Sequence, residues 1–301
     1  MIVNTSLTFL IASRNRPVLL NLLIEKLIFI HKNIYPLSVV VVDDFSDEPI
    51  SIKPDSFNSF LIVRNHCQIG LARSRNKGLR YIKTDYIYIC DDDDFISDPF
   101  QLLKAMDYLL SSGCYGLIGL PPYYSSINQT HSYFLRELIL LGVTPPVSAQ
   151  IYHSSLFNSA QYSPDISSGT DLDLWINLLS LNPSIAVMPN FVISSFKHQA
   201  FSSMTTNYSK RLNSLIHTYS LWIPRLINEF GHLFTATYLR ALSDHEDWFF
   251  VLSVLSNKRF FLLFPRIFRI SHLSMFQYLI RYIKFRVFSI PAPIGALLLR
   301  Q

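Results

Sequence analysis

Four consecutive aspartates, residues 91–94, form the strongest chemical signal in the sequence, directly after the apolar run 86–90. Adjacent carboxylates repel one another, so they persist where they are exposed or where a cation neutralises them. Mg²⁺ and Mn²⁺ prefer hard oxygen ligands and often combine one or two carboxylates with substrate phosphates. We therefore predict a divalent metal site that binds a diphosphate. The alternative is an acidic, solvated turn in which Asp94 caps a helix.

Two further polar clusters also follow apolar runs. The run 7–12 leads into the polar residues 13–16, and the run 37–42 leads into an aspartate pair at 43–44. Apolar runs without alternation are typical of strands that are covered on both faces of an α/β sheet. Ligands of such open sheets bind beyond the carboxyl ends of the strands. The three clusters should therefore converge at one edge of the sheet.

The elements that must position these clusters alternate along the chain. Periodicity predicts helices over 18–30, 71–81, 100–110 and 171–181. Short apolar runs predict further strands at 60–63, 85–90, 115–120, 147–152, 185–188 and 191–196. Beyond residue 205 the pattern becomes mostly helical.

Four segments resemble, in order, motifs of the family 2 glycosyltransferases: residues 8–16, 39–47, 70–79 and 86–94. The resemblance implies a fold of the α/β class, a GT-A type, Rossmann-like mixed sheet flanked by helices, with a mostly helical C-terminal extension. It places the catalytic domain at residues 1–204 and a basic, hydrophobic region at 205–301.

The resemblance also implies roles for individual residues. The nucleotide-sugar would be bound by Ser13, Arg14, Asp43, Asp44, Arg73, Arg75, Asp91 and Asp92. Asp43 or Asp44 would accept hydrogen bonds from the base or the ribose, with turn and helix capping as the alternative. Arg73 and Arg75 lie two residues apart and do not share a helix face. One of them would reach the nucleotide or diphosphate while the other stays in solvent, and the sequence leaves the choice open.

The metal ligands implied by the resemblance are Asp93 and His198. Asp92 would contact the ribose or a water on the metal, although the register 92–94 fits the motif as well. His198 follows a predicted strand and would be a third ligand or touch the diphosphate, since neutral imidazole binds metals. An ordinary, hydrogen-bonded polar residue is the alternative for His198.

A catalytic base is implied by the segment 168–175, which resembles the family's Glu-Asp motif at the start of a helix. Asp171 would take the proton from an acceptor hydroxyl as that oxygen attacks the sugar. Asp173 is the second candidate. Thr170 stands where the family usually has Glu. The alternative for Asp171 is a carboxylate that the helix dipole favours.

These parts imply a glycosyltransferase that moves a sugar from a nucleotide-sugar donor, expected to be a UDP-sugar, to a glycan or lipid-linked acceptor hydroxyl. The displacement would be inverting and assisted by Mn²⁺ or Mg²⁺. The resemblance implies a role for the enzyme in bacterial surface polysaccharide synthesis. A nucleotidyltransferase is one rival, but residues 13–16 lack the Gly-rich phosphate loop it should show. A binding protein that has lost activity is another, which the Thr170 departure leaves open.

Charge and composition separate the last 54 residues from the rest. The net charge is +5, yet residues 248–301 contain eight Lys or Arg and no acidic residue. Within them, residues 274–289 mix apolar side chains at helical spacing with basic ones, which predicts either an interfacial helix on an anionic membrane or a helix packed on the catalytic domain. No RNA-binding motif accompanies the charge, so no nucleic acid is expected.

The compartment is inferred from cysteines and apolar runs. Three cysteines without CxxC spacing fit a reducing environment. The N-terminus shows no basic leader before its apolar run, and no uncharged apolar stretch reaches about 18 residues. We therefore expect a cytoplasmic protein, peripheral at the inner face of the cell membrane.

Overall fold

The computed structural model describes residues 6–52, 56–119, 129–140, 143, 149–167, 169–189, 191, 193–195, 218 and 221–231. The chain divides into two compact units. The first consists of residues 1–136 and 145–198, and the second of residues 137–144 and 199–301.

Strands and helices alternate along the described part of the chain up to residue 195. The strands are β1 Leu7–Ser13, β2 Leu37–Asp43, β3 Ser59–Arg64, β4 Tyr86–Asp91, β5 Asp94–Ile96, β6 Gly116–Gly119, β7 His131–Phe134, β8 Gln150–His153, β9 Ser184–Met188 and β10 Ile193–Ser195. The α-helices are α1 Pro17–Asn33, α2 Leu71–Leu79, α3 Pro99–Ser112, α4 Leu135–Leu140 and α5 Thr170–Leu178, and a 3₁₀ helix covers Ser154–Asn158.

Eight strands form one mixed sheet in the order β3-β2-β1-β4-β8-β6-β9-β7. The four strands β3, β2, β1 and β4 are mutually parallel, and β8 continues the sheet antiparallel to β4. The strands β5 and β10 pair antiparallel as a separate two-stranded sheet. This arrangement confirms the predicted mixed sheet.

The core lies where the sheet meets α1 and α3. Alternate residues of β1, such as Leu7, Phe9 and Ile11, share one buried cluster with the apolar stripes of both helices. The rings of Phe9 and Tyr88 stack across β1 and β4 with centroids 4.4 Å apart. Both helices begin with proline, whose missing N–H costs nothing in a first turn. Apolar packing against α1 and α3 therefore fixes the parallel strands that carry the polar clusters.

Helix α2 lies close against β1 and β2 because residue 78 is glycine. A Cβ at Gly78 would collide with Leu10 Cδ1 and lie 2.9 Å from Val42 Cγ2. Helix interiors disfavour glycine by roughly 1 kcal/mol relative to alanine. Here the missing side chain lets the helix backbone approach the sheet.

The predicted elements differ from the structure mainly in their bounds. Helix α5 ends at Leu178, three residues before its predicted end. Strand β8 begins at Gln150, while residues 147–148 lie outside the described part of the chain. Strands β5 and β7 and helix α4 were not predicted. Strand β7 is an edge strand with mostly exposed side chains, so hydrophobicity gives it no signal.

The second unit is described only in part. Residues 221–231 form a helix whose buried side chains include Trp222, Ile223 and Leu226. The predicted domain boundary after residue 204 and the basic segment 248–301 lie outside the described residues. Among the helices that the structure does describe, none combines the length and hydropathy of a membrane span.

Candidate functional site

The predicted polar clusters meet at the carboxyl edge of the parallel strands. In the β1–β2 register Ser13 is opposite Asp43, and in the β1–β4 register Ala12 is opposite Asp91. Each strand thus ends at about the same level with a polar residue. The expected convergence at one edge of the sheet is confirmed.

The aspartate pair after β2 is buried and bonded to donors of the protein. Asp43 is fully buried, where its carboxylate accepts from the Ser46 N–H (2.8 Å) and from Arg64 Nη1. Burial alone would raise the pKa of Asp43, but the bonds from Ser46 and Arg64 outweigh it and lower the pKa. The carboxylate therefore stays ionised and closes the turn that follows β2.

Asp44 ties the end of β2 to the start of α2. Its Oδ1 accepts from Asn65 Nδ2 (2.9 Å) and from the Ile69 N–H (2.8 Å), and its Oδ2 accepts from the Gly70 N–H (2.9 Å). A carboxylate has about four acceptor positions, so these bonds leave room for one more donor. Asp43 and Asp44 shape the predicted nucleotide-binding edge, and direct contact with a nucleotide stays a prediction.

The turns after β1 and β2 lock onto each other. The Asn15 N–H donates to Ser46 Oγ (2.9 Å), Asn15 Nδ2 donates to Asp47 (3.1 Å), and the Asp47 N–H donates to Asn15 Oδ1 (2.8 Å). Asn15 and Phe45 both adopt positive φ, at 55° and 62°. For a residue other than glycine or asparagine this conformation costs roughly 1–2 kcal/mol. The strain at Phe45 has to be held by the surrounding bonds.

Asp92 points into the protein toward the turn after β1. Its carboxylate accepts from Ser13 Oγ (2.6 Å) and from Arg16 Nη1 (2.9 Å). Burial raises the pKa of Asp92 to about 6, although Ser13 and Arg16 both oppose that rise. Ser13 and Asp92, both predicted to bind the nucleotide-sugar, therefore contact each other in the structure.

The other three aspartates of the quartet come together. One carboxylate oxygen each from Asp91, Asp93 and Asp94 lies within 4.8 Å of the others. The side chain of Asp93 is 30% exposed and can be approached from solvent, and it also accepts from Arg16 Nη1 (3.1 Å). Crowded like charges favour a bound cation, and the oxygen donors suit Mn²⁺ or Mg²⁺. The donor set thus fits the predicted divalent metal.

Arg75 joins this acidic cluster to the predicted catalytic base. Its guanidinium is 1% exposed, with Nη2 donating to Asp91 (2.7 Å) and Nη1 donating to Asp171 (3.0 Å) and Thr170 Oγ1 (3.1 Å). Burial would lower the pKa of Arg75, but Tyr162, Asp171 and Asp91 together raise it, so the charge is kept. Arg75 is therefore the residue of the Arg73–Arg75 pair that reaches the site.

The other predicted cations lie on the surface. Arg73 is exposed and pairs with Asp165 (2.9 Å) while Nε donates to the Pro164 carbonyl (3.1 Å). Arg14 is exposed, with Nε 3.5 Å from the Phe45 carbonyl oxygen. Their predicted contacts with a nucleotide-sugar stay predictions.

The two carboxylates at the start of α5 have different surroundings. Asp173 is fully buried and accepts from the Ser163 N–H (2.6 Å) and hydroxyl (2.8 Å), which gives it a structural task. Asp171 is 9% exposed. Burial raises the pKa of Asp171 above its ordinary value of 3.8, and Arg75 limits the rise. The surroundings favour Asp171 over Asp173 as a proton acceptor.

His198, predicted as a metal ligand, lies outside the described residues. Three further residues at the edge were not predicted: Arg16, Arg64 and Phe45. Both arginines bond carboxylates that come from other elements, at long sequence separations. Phe45 follows the aspartate pair directly. Only its position beside the polar cluster could have indicated it.

A parallel half-sheet with acidic residues at its carboxyl edge, extended by an antiparallel strand and further elements, defines a GT-A type glycosyltransferase fold. Solved structures share it. TarS of S. aureus bound to UDP-GlcNAc matches with a TM-score of 0.60 at 16% identity, over 93% of this chain and 81% of that one. The mannosyltransferase PcManGT of Pyrobaculum calidifontis, bound to GDP-Man and Mn²⁺, gives 0.57 at 15% identity, over 96% and 89%.

The sequence identifies the family. The family model described as glycosyl transferase family 2 matches residues 8–159, which is half of the chain, so the chain belongs to that family. An Escherichia coli chondroitin synthase is 31% identical over 120 residues, which are 38% of this chain and 17% of that protein. The chain spans less than half the length of the curated relatives it matches.

Proposed function

We propose that the chain transfers a sugar from a nucleotide-sugar donor to an acceptor hydroxyl with inversion at the anomeric carbon. The observation that carries the proposal is that the Arg75 guanidinium forms ion pairs both with Asp91 of the acidic cluster and with the candidate base Asp171. The donor diphosphate and the acceptor hydroxyl would therefore bind close to each other at the sheet edge.

The residues that would hold a divalent cation are Asp91, Asp93 and Asp94, with His198 as a further candidate. When bound, Mn²⁺ or Mg²⁺ supplies Lewis-acid neutralisation of charge on the departing nucleoside diphosphate. Mn²⁺ accompanies GDP-Man in the structure of PcManGT, which supports this assignment. Arg16, whose Nη1 contacts Asp92 and Asp93, adds a cation at the same edge and is suited to bind phosphate oxygens.

Asp171 would act as the general base. Its carboxylate would accept the proton of the acceptor hydroxyl as that oxygen attacks the anomeric carbon from the side opposite the diphosphate. The buried surroundings that raise the pKa of Asp171 make it a better proton acceptor than a solvated aspartate. Arg75 would orient it, since Arg75 Nη1 donates to Asp171 and also to Thr170 Oγ1, which helps to hold the guanidinium in place.

The donor that we propose is a UDP-sugar, because UDP-GlcNAc occupies the structurally similar TarS. For the acceptor we propose a glycan or lipid-linked hydroxyl in the synthesis of a surface polysaccharide. The similarity to a chondroitin synthase supports that class. The basic segment 248–301 would bring the enzyme to the inner face of the cell membrane, where such acceptors lie.

Release of nucleoside diphosphate from a panel of UDP- and GDP-sugars, with and without Mn²⁺, tests the activity. We expect Asp171→Asn to lower turnover by about 10²–10⁴-fold while donor binding is retained. Asp107→Asn, the same change at an exposed carboxylate, is the matched control and should behave as the wild type. Retained turnover in Asp171→Asn would reject the base. A wild-type chain that binds donors without turnover would instead indicate a binding protein.

A further inference from the structure

Phe45 has a backbone conformation that its side chain does not favour. It follows Asp44 at the end of β2 with φ at 62°, in the left-handed region that glycine occupies without strain. Strained residues persist where the surroundings over-determine them, and they cluster at ligand-binding sites. The side chain at this position therefore calls for a reason beyond the turn itself.

Bonds on both sides of Phe45 hold it in place. The Ser46 N–H donates to Asp43 (2.8 Å), the Asp44 N–H donates to the Ser13 carbonyl (3.0 Å), and Arg64 Nη2 donates to the Ser46 carbonyl (2.7 Å). The backbone of Phe45 is consequently held in one position at the edge of the sheet. Because Ser13 and Asp43 are opposite each other in the β1–β2 register, this position is next to the strand ends of the candidate site.

One face of the Phe45 ring is backed by a cation, and much of the ring is open to solvent. The Arg64 guanidinium carbon lies 5.3 Å from the ring centroid, where the bond to Asp43 holds it. Phe45 is nevertheless 42% exposed. Arg64 thus lies over the ring while part of this large apolar side chain stays open to solvent, directly after the buried Asp43 and Asp44.

We propose that Phe45 is the stacking surface for the planar base of the nucleoside diphosphate, which makes it a binding residue. The inference rests on the proposed function and deepens it. An aromatic ring stacks on any base, because every base has a π-face, and the contact does not depend on its hydrogen-bonding pattern. The adjoining Asp44, with an acceptor position to spare, would bond an N–H or O–H of the same nucleoside.

The test compares a ligand that has a base with one that lacks it. Calorimetric titration of wild-type chain with UDP, GDP and inorganic pyrophosphate, each with Mn²⁺, gives the three reference affinities. Phe45→Leu keeps the β-carbon and most of the apolar volume but removes the π-face, and Phe45→Trp keeps a π-face. Phe45→Gly removes the ring and the strain together.

We expect Phe45→Leu to weaken UDP and GDP binding by about tenfold, since base stacking is worth that order by substitution. Phe45→Gly should lose the same factor, whereas Phe45→Trp should stay within about threefold of wild type because any π-face can stack. Pyrophosphate affinity should be unchanged in all three variants. That unchanged affinity also shows that each variant is folded at the cation site.

Three results would overturn the inference. They are unchanged UDP and GDP affinity in Phe45→Leu, an equal loss for pyrophosphate, and a wild-type chain that binds pyrophosphate as tightly as UDP and GDP. The last result leaves the metal and diphosphate part of the proposed function standing. A wild-type chain that binds none of the three ligands would reject the proposed function and this inference together.

Discussion

Two aspartate groups follow the parallel strands on either side of β1, and their carboxylates have opposite surroundings. At the end of β2, Asp43 and Asp44 accept hydrogen bonds from backbone N–H groups and from the side chains of Arg64 and Asn65. At the end of β4, three carboxylates converge within 4.8 Å, and two of them, Asp93 and Asp91, form ion pairs with Arg16 and Arg75.

The difference shows that consecutive aspartates after a buried strand can form two kinds of site. The β2 group is organised by the protein itself, so its geometry exists before any ligand arrives. The β4 group brings like charges together, which favours the binding of an additional cation. The following predictions test that division, from the largest expected effect to the smallest.

Removal of the Arg75 charge, which links Asp91 of the β4 group to Asp171, should have the largest effect. Arg75→Gln leaves Asp91 and Asp171 without their buried partner, so we expect a loss of roughly 3–5 kcal/mol in the free energy of unfolding. Denaturant unfolding measures it. Arg73→Gln, two residues away in the exposed pair with Asp165, is the control and should cost at most about 1 kcal/mol. Equal losses in both variants would contradict the bridging role of Arg75.

Removal of a carboxylate from the β4 group should affect metal binding first. Asp93→Ala is expected to weaken Mn²⁺ binding more than about 100-fold, since even outer-shell partners of a metal contribute about 10–100-fold. Mn²⁺ titration in the presence of UDP measures the affinity. Asp107→Ala, at an exposed position, provides the comparison. An unchanged Mn²⁺ affinity in Asp93→Ala would exclude Asp93 as a ligand.

The same kind of change in the β2 group should affect stability without involving the metal. Asp44→Asn replaces an acceptor oxygen by an amide and leaves a donor such as the Gly70 N–H unmet, at a cost of about 1–3 kcal/mol. Thermal unfolding with and without Mn²⁺ should show the same loss in both conditions. A loss that appears only with Mn²⁺ would place Asp44 among the metal ligands and erase the distinction between the groups.

The pH dependence of stability should differ between the groups in sign. Because the folded pKa of Asp92 is about 6 and the ordinary value is 3.8, the folded state binds the proton more tightly. Stability through Asp92 is therefore lost as the pH rises from about 4 to 6. Asp43, with its lowered pKa, contributes stability above pH 4 that is lost as the pH falls.

Asp92→Asn should thus be more stable than wild type above pH 6, with a free energy of unfolding that is higher by on the order of 1 kcal/mol, and the difference should vanish below pH 4. Thermal unfolding in chelator-containing buffer across that range measures it. Asp43→Asn should instead be less stable than wild type at pH 7. A gain for Asp92→Asn that does not change with pH would refute the titration.

The parallel half of the fold could be predicted closely. Buried strands have continuous apolar runs, and the register that opposes Ser13 to Asp43 and Ala12 to Asp91 follows once those strands pair in parallel. The acidic quartet could be predicted for the same reason. The local pattern and the tertiary arrangement agree there.

The partners of the carboxylates could not be predicted. Arg73 and Arg75 are two arginines on the same helix, and the local sequence does not distinguish them. In the structure Arg75 is buried and pairs with Asp91 and Asp171, whereas Arg73 pairs with the surface residue Asp165. The link between Arg16 and Asp92 spans 76 positions. Such pairs depend on how distant elements pack, which periodicity does not encode.

The absence of a side chain at Gly78 limits which substitutions helix α2 can accept. Gly78 rests on Leu10 and Val42, and it lies less than one helical turn beyond Arg75. A methyl group at that point would overlap side-chain atoms of Leu10 and Val42, so either these core side chains or the helix that carries Arg75 would have to shift. We therefore expect mutational libraries to select against larger side chains at position 78, although this residue belongs to no binding or catalytic site proposed above.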